Sequence, residues 1–343
     1  MAAVCELKSE DFAAWDEFVL RHPHGSPFHL TAWKKTIEEA FGYQPFYLSA
    51  KSGSRVEAVL PLFFVRNPII GSALISSPFA VYGGILAESP QAGQLLYDYA
   101  KWLGRKVSAD YIELRNAYGE QCVGTPNVSR YVTFVQDVAA SEEDLLSSLP
   151  KKTRNTVRKA LKQPFTIRYR VADAGTLDRI HSRNMRRLGT PCFPREYFAR
   201  LQANFGKMVE VREVRLGDEP VAVSLSFLFR DQMHTYHAAA DTRYNALAPN
   251  TFLYYDHLRW AGQHGFRQFD FGRSKRNTGA FEFKRHWNTT MRELPYEIVL
   301  LKRRELPNFS PANPRFRAAI RIWQNLPLPV TRGLSKFVLP LFP

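Results

Sequence analysis

The chain has 343 residues, 45% hydrophobic and 23% charged, a composition that excludes a disordered polymer and leaves room for two ordinary domains. Three cysteines, Cys5, Cys122 and Cys192, form no CxxC pair, which excludes a disulfide framework and a cysteine-built zinc site. The net charge of +15 is lopsided: residues 1–150 carry −5 and residues 151–343 carry +20, so a polyanionic partner (a phosphate-rich donor, a nucleic acid or an anionic membrane) is expected at the second half.

In chain order, the N-terminal MAAVCELKSEDF carries acids and no apolar core, unlike a secretory leader, and predicts a cytoplasmic protein. Ser9–Arg21 and Thr31–Phe41 are predicted helices, each opened by a hydroxyl cap, the second closed by Gly42. Gln44–Ala50 and Val56–Val65 read as a hairpin turning at Lys51–Ser54, and Ala73–Ser76 and Phe79–Leu86 continue the sheet. The apolar run from Val56 to Ala87 is broken by Arg66, Asn67 and Pro68, so no transmembrane helix is expected. A helix over Gln91–Lys106 precedes strands over Asp110–Asn116 and Tyr131–Asp137.

The second half repeats the mixture. Ser141–Asp144 has the form of a capping box, and Pro150 opens a basic helix over Lys151–Gln163. Helices over Leu177–Leu188 and Glu196–Phe205 are followed by strands over Met208–Arg215, Pro220–Phe229 and Met233–Ala240. A helix over Asn250–Gln263, a strand over Arg267–Phe271, a short helix over Phe281–His286 and a strand over Met291–Leu301 complete the pattern. The fold class is therefore α+β, or mixed α/β. The remaining tail has seven prolines and no acid beyond Glu305.

Leu95–Gly104 aligns with Leu253–Gly262 at an offset of 158, with identities at Leu, Tyr, Asp, Trp and Gly, and the ungapped extension pairs Arg115 with Arg273. Both copies read as a helix running into a strand that ends on an arginine, which points to a duplicated domain. The boundaries expected are 1–140, 141–303 with the basic helix 151–163, and a basic amphipathic tail over 304–343.

The strand ending at Ala240 leads through Asp241–Asn250 into a helix, a place where backbone N–H groups and the helix dipole favour phosphate. Arg243 adds a cation, Ala246 and Ala248 allow close approach, and Asn250 supplies an amide or a cap. Lys151, Arg154, Arg158 and Lys162 form one helical stripe with Lys152 beside it, and either phosphate binding or a solvated face accounts for it. In Phe269–Lys275, strand alternation separates Asp270 from Phe269 and Phe271, and Gly272, Arg273 and Ser274 follow at the strand's carboxyl end, where open sheets place ligands. An Asp270–Arg273 structural ion pair is the competing reading. Phe283, Lys284 and Trp287 share one helical turn, and a lysine beside aromatics can stabilise an oxyanion. Ser76–Gly84, with Tyr82 and Gly83, reads as a cleft wall or as a packed bulged strand. The histidines lack partners at metal-ligand spacing, and neither a P-loop nor GxGxxG is present.

FHLTAWKKTIEEAFGYQPF, SSPFAVYGG, LPKKTRNTVRKA, TYHAAADTRYNALAPNTFLYYDHLRWA, FDFGRS and FEFKRHW together resemble the FemAB family of acyl- and aminoacyltransferases, and most resemble its proteobacterial branch associated with exosortase/PEP-CTERM and exopolysaccharide systems. The resemblance implies two tandem GNAT-like domains and transfer of an acyl or aminoacyl group to an amine on a cell-envelope precursor, of peptidoglycan or exopolysaccharide. It implies acyl-CoA or aminoacyl-tRNA as donor substrate and no tightly bound cofactor or metal. Arg243–Ala248 stands where acetyltransferases carry a (Q/R)xxGx(G/A) loop, with Ala246 in place of the glycine, a departure compatible with a donor other than CoA.

The expected roles are then Lys284, Asp270 and Arg273 at the chemistry and Arg243, Ala246, Ala248, Asn250, Lys152, Arg154 and Arg158 on the donor. Tyr82, Gly83, Tyr236, Ser274 and Phe283 fall on the acceptor, in a cleft between the halves. The acceptor, lipid-linked or nucleotide-linked, attacks directly with no covalent enzyme intermediate. The alternative is a non-catalytic protein that binds RNA, tRNA or an anionic membrane on the same scaffold. The tail from Phe316 mixes cations with Trp323, Leu334 and Phe337, which suits a peripheral contact with an anionic inner membrane.

Overall fold

The computed structural model describes residues 2–67, 71–116, 127–128, 131–305 and 314–343. Cys122, Pro68 and the start of the tail, 306–313, lie outside the described residues. Along the chain run β1 (Ala3–Glu6), α1 (Phe12–Arg21), α2 (Thr31–Phe41), β2 (Gln44–Ser52), β3 (Arg55–Val65), β4 (Ala73–Ser76), β5 (Leu86–Ala87), α3 (Pro90–Lys106), β6 (Tyr111–Arg115) and β7 (Asn127–Val128). These are followed by β8 (Tyr131–Asp137), α4 (Glu142–Ser148), α5 (Lys151–Leu161), β9 (Phe165–Arg168), α6 (Gly175–Leu188), α7 (Arg195–Phe205), β10 (Val209–Leu216), β11 (Glu219–Phe229), β12 (Gln232–Ala240) and α8 (Pro249–Gln263). The chain closes with β13 (Gln268–Asp270), β14 (Ser274–Lys275), α9 (Gly279–Arg285), β15 (Thr290–Glu293), β16 (Tyr296–Leu300), α10 (Pro314–Asn325) and α11 (Leu328–Val338). No described helix is long and apolar enough to cross a membrane.

Two sheets organise these elements. The first has strand order β1-β2-β3-β4-β6-β16-β7, with β5 on β3; the second runs β14-β8-β13-β12-β11-β10-β9, with β15 on β8. In each, one parallel pair interrupts antiparallel neighbours, β4 with β6 and β12 with β13. A parallel pair needs a crossover, and α3 and α8, the two copies of the sequence repeat, supply it. Helix α3 starts on Ser89, whose side chain accepts from the Ala92 N–H, with Pro90 in the first turn and Arg105 and Lys106 in the last. Its inner face puts Leu96 and Leu103 against Leu60, Leu62, Leu74 and Ile112 in the first core. In the second core, Tyr254, Leu258 and Ala261 of α8 pack with Phe134, Phe269 and Phe271.

The compact units do not follow the boundaries expected from the sequence. One comprises 1–130, 293–309 and 340–343, and the other 131–292 and 310–339. The reason is strand pairing: β8 lies beside β13 in the second sheet, and β16 returns to lie beside β6 in the first. The strand predicted over Met291–Leu301 is accordingly two strands in two sheets, separated at Leu294 and Pro295. The last four residues sit on the first unit, where Tyr43 Oη, Asn67 Nδ2 and Arg115 Nη2 donate to the carbonyls of Pro340, Leu341 and Pro343 at 2.6, 2.7 and 2.8 Å.

Local chemistry also corrects two caps. Thr31 does not cap α2: its hydroxyl and N–H both donate to Asp16, at 2.6 and 2.8 Å. The N-cap of the opening turn at Ser9–Asp11 is Lys8, which makes no side-chain cap bond. Ser141 and Gly42 do act as expected, the latter with φ of 66°.

In the second unit, Arg212 of β10 is fully buried, with Nε 2.9 Å from Glu210 and Nη1 3.0 Å from Asp256 of α8, between the rings of Trp260 and Tyr169. Removing the guanidinium strands the buried Glu210 carboxylate and takes one of two arginines from Asp256, which keeps Arg259 at 2.8 Å. Arg212→Ala is expected to lower the stability of this unit by about 3–5 kcal/mol, read from urea denaturation.

Candidate active site

The pairing of β12 with β13 lasts three residues, from Gln232↔Gln268 to His234↔Asp270. Beyond it β12 runs on to Ala240, while the partner chain turns away at Gly272, whose φ is 77°. The two strands therefore part. A bulge in β12 coincides with the parting: Leu225 pairs with His237 and Ser226 with Thr235, leaving Tyr236 as the extra residue.

Polar groups converge on this point. Asp270 is completely buried; its Oδ1 accepts from Thr133 Oγ1 at 2.6 Å and from the Gly272 N–H at 2.7 Å, and its Oδ2 lies 3.1 Å from His234 Nδ1. Lys284, on α9, is 8% exposed, and its Nζ donates to the carbonyls of Gly272 and Arg273 at 2.8 and 3.1 Å. An added Cβ at Gly272 would lie 2.6 Å from the Thr235 carbonyl and 3.8 Å from Lys284 Nζ, so only glycine lets these groups approach. Helix α9 is set by Thr278, which accepts from the Phe281 N–H, and by Phe281 and Trp287, which sink into the second core.

Burial pushes the Lys284 pKa down to about 7; the Asp270 carboxylate opposes that shift and the Arg273 guanidinium adds to it. The unfolded lysine titrates near 10.5, so between about pH 7 and that value the unfolded chain binds the extra proton, and stability rises with pH across this window.

The expected site residues divide as follows. Arg273 lies near this centre, its guanidinium 4.5 Å over the Tyr131 ring. Ser274 is buried, and its Oγ finds no hydrogen-bond partner among the described residues. Tyr236 shares a 2.8 Å hydrogen bond with Tyr197 Oη. Phe283 packs on Tyr254 and Trp287, with ring centroids at 5.1 and 5.9 Å, so it is a wall of the core behind Lys284 rather than an open acceptor contact.

The first unit treats the same topological point differently. Residues 77–85 do not form the expected strand; only Leu86–Ala87 pairs, with β3. The segment folds into the end of β6 instead, with the N–H groups of Gly83 and Gly84 donating to the Arg115 carbonyl at 2.9 and 3.1 Å and Arg115 Nη1 reaching the Ser77 and Ala80 carbonyls. Tyr82 is 3% exposed beside Phe28, and a Cβ on Gly83 would lie 2.4 Å from Ser77 Cβ. Tyr82 and Gly83 are thus packing residues, which corrects their acceptor assignment.

The donor loop differs too. Thr242–Leu247 is a short 3-10 helix capped by Asp241, and the N–H groups of Arg243, Tyr244 and Ala248 are engaged within the loop. Ala246 is exposed and Ala248, with φ of 59°, is the residue that precedes α8. Asn250 is the second residue of α8 behind Pro249, so it is not the cap. Cationic side chains gather beside the loop: a pocket of about 550 Å³ is lined by Arg183, Arg186, Arg187 and Arg243, with Asp241 and Leu328. Arg243 and Arg183 hold Asp241 at 2.8 and 3.5 Å. Lys152, Arg154 and Arg158 do not line this pocket; they belong to α5, whose buried face is Thr153, Val157 and Ala160.

Sequence reasoning missed Thr133, His234 and the three α6 arginines. The sequence around His234 shows no partner, because that partner is a carboxylate 36 residues away. Among the described residues no cluster of three or more His, Cys, Asp or Glu is placed to hold a metal.

Replacing Asp270 by Asn removes the charge that favours the ammonium. The Lys284 inflection, expected near pH 7 by heteronuclear NMR of labelled lysine, should move lower in Asp270→Asn.

Comparison with known proteins places this geometry. A family model described as an acetyltransferase (GNAT) domain matches residues 148–285, the stretch holding Lys284 and the arginines of the pocket. No curated protein sequence matches the chain. Among solved structures, FemX superposes with a TM-score of 0.69 at 15% identity, over 93% of this chain and 100% of that one. L-PGS from Bacillus licheniformis gives 0.58 at 12% identity, over 93% and 97%. A tandem GNAT protein from the clavulanic acid biosynthesis pathway gives 0.55 at 10%, over 89% and 100%. The chain therefore has the mixed α/β fold of the tandem GNAT-like acyltransferases, with the parted strands of the second sheet inside the matched domain.

Proposed function

We propose that the protein transfers an acyl or aminoacyl group from an activated, phosphate-bearing carrier to an amine, by direct attack and without a covalent enzyme intermediate. The observation that carries this reading is the buried Lys284 at the parting of β12 and β13. An ammonium has three N–H donors. Two are spent on the Gly272 and Arg273 carbonyls, and the third serves the carbonyl oxygen of the donor. As the amine nitrogen bonds to the acyl carbon, that oxygen becomes anionic and the ammonium stabilises it. Collapse of the adduct re-forms the carbonyl, expels the carrier's sulfur or oxygen, and releases the amine's proton to the leaving group or solvent.

Asp270, already engaged by Thr133, Gly272 and His234, holds the turn and sustains the charge on Lys284. The arginine pocket receives the donor's phosphates. Ser274 and Tyr236 face the acceptor. The sequence resemblance supports an acceptor amine on a cell-envelope or exopolysaccharide precursor, lipid-linked or nucleotide-linked. FemX and L-PGS share the fold, which supports an aminoacyl or acyl donor. The exposed cations of α5, Lys152 and Arg158 among them, favour a long polyphosphate such as tRNA, since a nucleotide-sized carrier needs only the pocket.

Lys284→Met is expected to lower kcat on the order of 100-fold with donor affinity retained, in an assay that follows amide formation from acetyl-CoA or aminoacyl-tRNA by mass spectrometry. Because the charged form does the work, the wild-type rate should fall as pH rises through about 7, and this limb should vanish in the variant. Full turnover by Lys284→Met would refute the assignment. Combined Lys152→Ala, Arg154→Ala and Arg158→Ala should weaken aminoacyl-tRNA binding and flatten its salt dependence while leaving acyl-CoA binding unchanged, measured by fluorescence titration.

A further inference from the structure

Helix α11 is inverted. Its polar residues Thr331 and Ser335 are 1% and 2% exposed, whereas Val330, Leu334 and Phe337 are 43%, 42% and 76% exposed. The inward face is polar because its partners are polar. Ser335 Oγ donates to the Thr331 carbonyl at 2.6 Å and accepts from the Cys192 N–H at 3.0 Å, Thr331 Oγ1 donates to the Leu328 carbonyl, and Arg332 pairs with the buried Asp178 of α6. The two contacts that leave the helix, to the Cys192 N–H and to Asp178, fix its rotation, and spacing of four and three residues then aligns Val330, Leu334 and Phe337 along one outward stripe.

The surroundings of the stripe are cationic. Residues 306–343 contain Arg315, Arg317, Arg321, Arg332 and Lys336 and no acid. Arg317, Arg321 and Lys336 are exposed, and Ile322 of α10, 63% exposed, adds a further apolar side chain. A stable protein partner needs roughly 20 residues a side. Four apolar side chains on helices that also carry the exposed cations Arg317, Arg321 and Lys336 fall far short of that, but they match what an interfacial helix presents to lipid: an apolar stripe that enters the acyl boundary and cations that meet anionic headgroups.

We infer that α11, assisted by α10, seats the protein on an anionic phospholipid surface. Leu328, the first residue of α11, lines the arginine pocket, so the seated helix holds that pocket close to the lipid headgroups. This goes beyond the acyl-transfer reading and does not depend on it.

The test is sedimentation of the full-length protein with vesicles of phosphatidylcholine alone and of phosphatidylcholine with phosphatidylglycerol, at low and high salt. The expected result is binding to the anionic vesicles that weakens with salt, and a loss of about tenfold or more in Leu334→Ser/Phe337→Ser. These side chains are exposed, so the variant should keep its circular dichroism spectrum and melting temperature. Arg321→Gln/Lys336→Gln should lose the salt dependence while retaining residual binding through the stripe. Absence of binding to anionic vesicles at low salt, or equal binding by Leu334→Ser/Phe337→Ser, would overturn the inference. So would self-association by light scattering that requires Phe337 without any vesicle binding. None of these outcomes bears on amide formation, so a failure here is separable from a failure of the proposed reaction.

Discussion

A buried lysine held on two backbone carbonyls is the interaction around which the candidate site of the second unit is organised. Burial alone would strip the proton from Lys284 well below its ordinary range, and the nearby Asp270 carboxylate holds the balance near neutrality. That balance requires Asp270 itself to be paid for, which Thr133, His234 and the Gly272 N–H do from three different segments of chain. The left-handed turn at Gly272 is what brings the carbonyl and the N–H of one residue to opposite charges.

The two units share a parallel crossover and differ in what fills the space beyond it. In the second, β12 and β13 part, and polar groups collect there. In the first, the Ser77–Gly84 segment packs into the corresponding place and spends its amides on the Arg115 carbonyl. Positive φ angles at Ser77 and Phe79, 47° and 65°, are part of that closure, a backbone conformation that packing must over-determine. Arg115, which aligns with Arg273 of the second unit, is a structural clasp that also holds the Pro343 carbonyl.

Charge follows the same division. Among the cations of residues 151–343, three groups have different surroundings: the α6 pocket, the α5 face and the tail. In the pocket, arginines converge on a concave site, and there Asp241 holds two of them. Arg186 and Arg187 add to the pocket from the adjacent turn of α6.

Most of the helices and strands, the repeated helix–strand unit and the aromatic face of Phe269 and Phe271 were legible in the amino-acid sequence, because periodicity and turn residues are local properties. Thr31–Phe41 with Gly42 and Tyr131–Asp137 needed nothing beyond their own residues. The tertiary structure alone decided which strand joins which sheet, since β8 and β16 satisfy their edges with partners far along the chain. It likewise decided that His234 meets Asp270, that Tyr82 and Gly83 are buried, and that α11 turns its hydroxyls inward. Each of these depends on long-range hydrogen bonds and close packing, whose geometry is set by the assembled fold and leaves no period in the sequence.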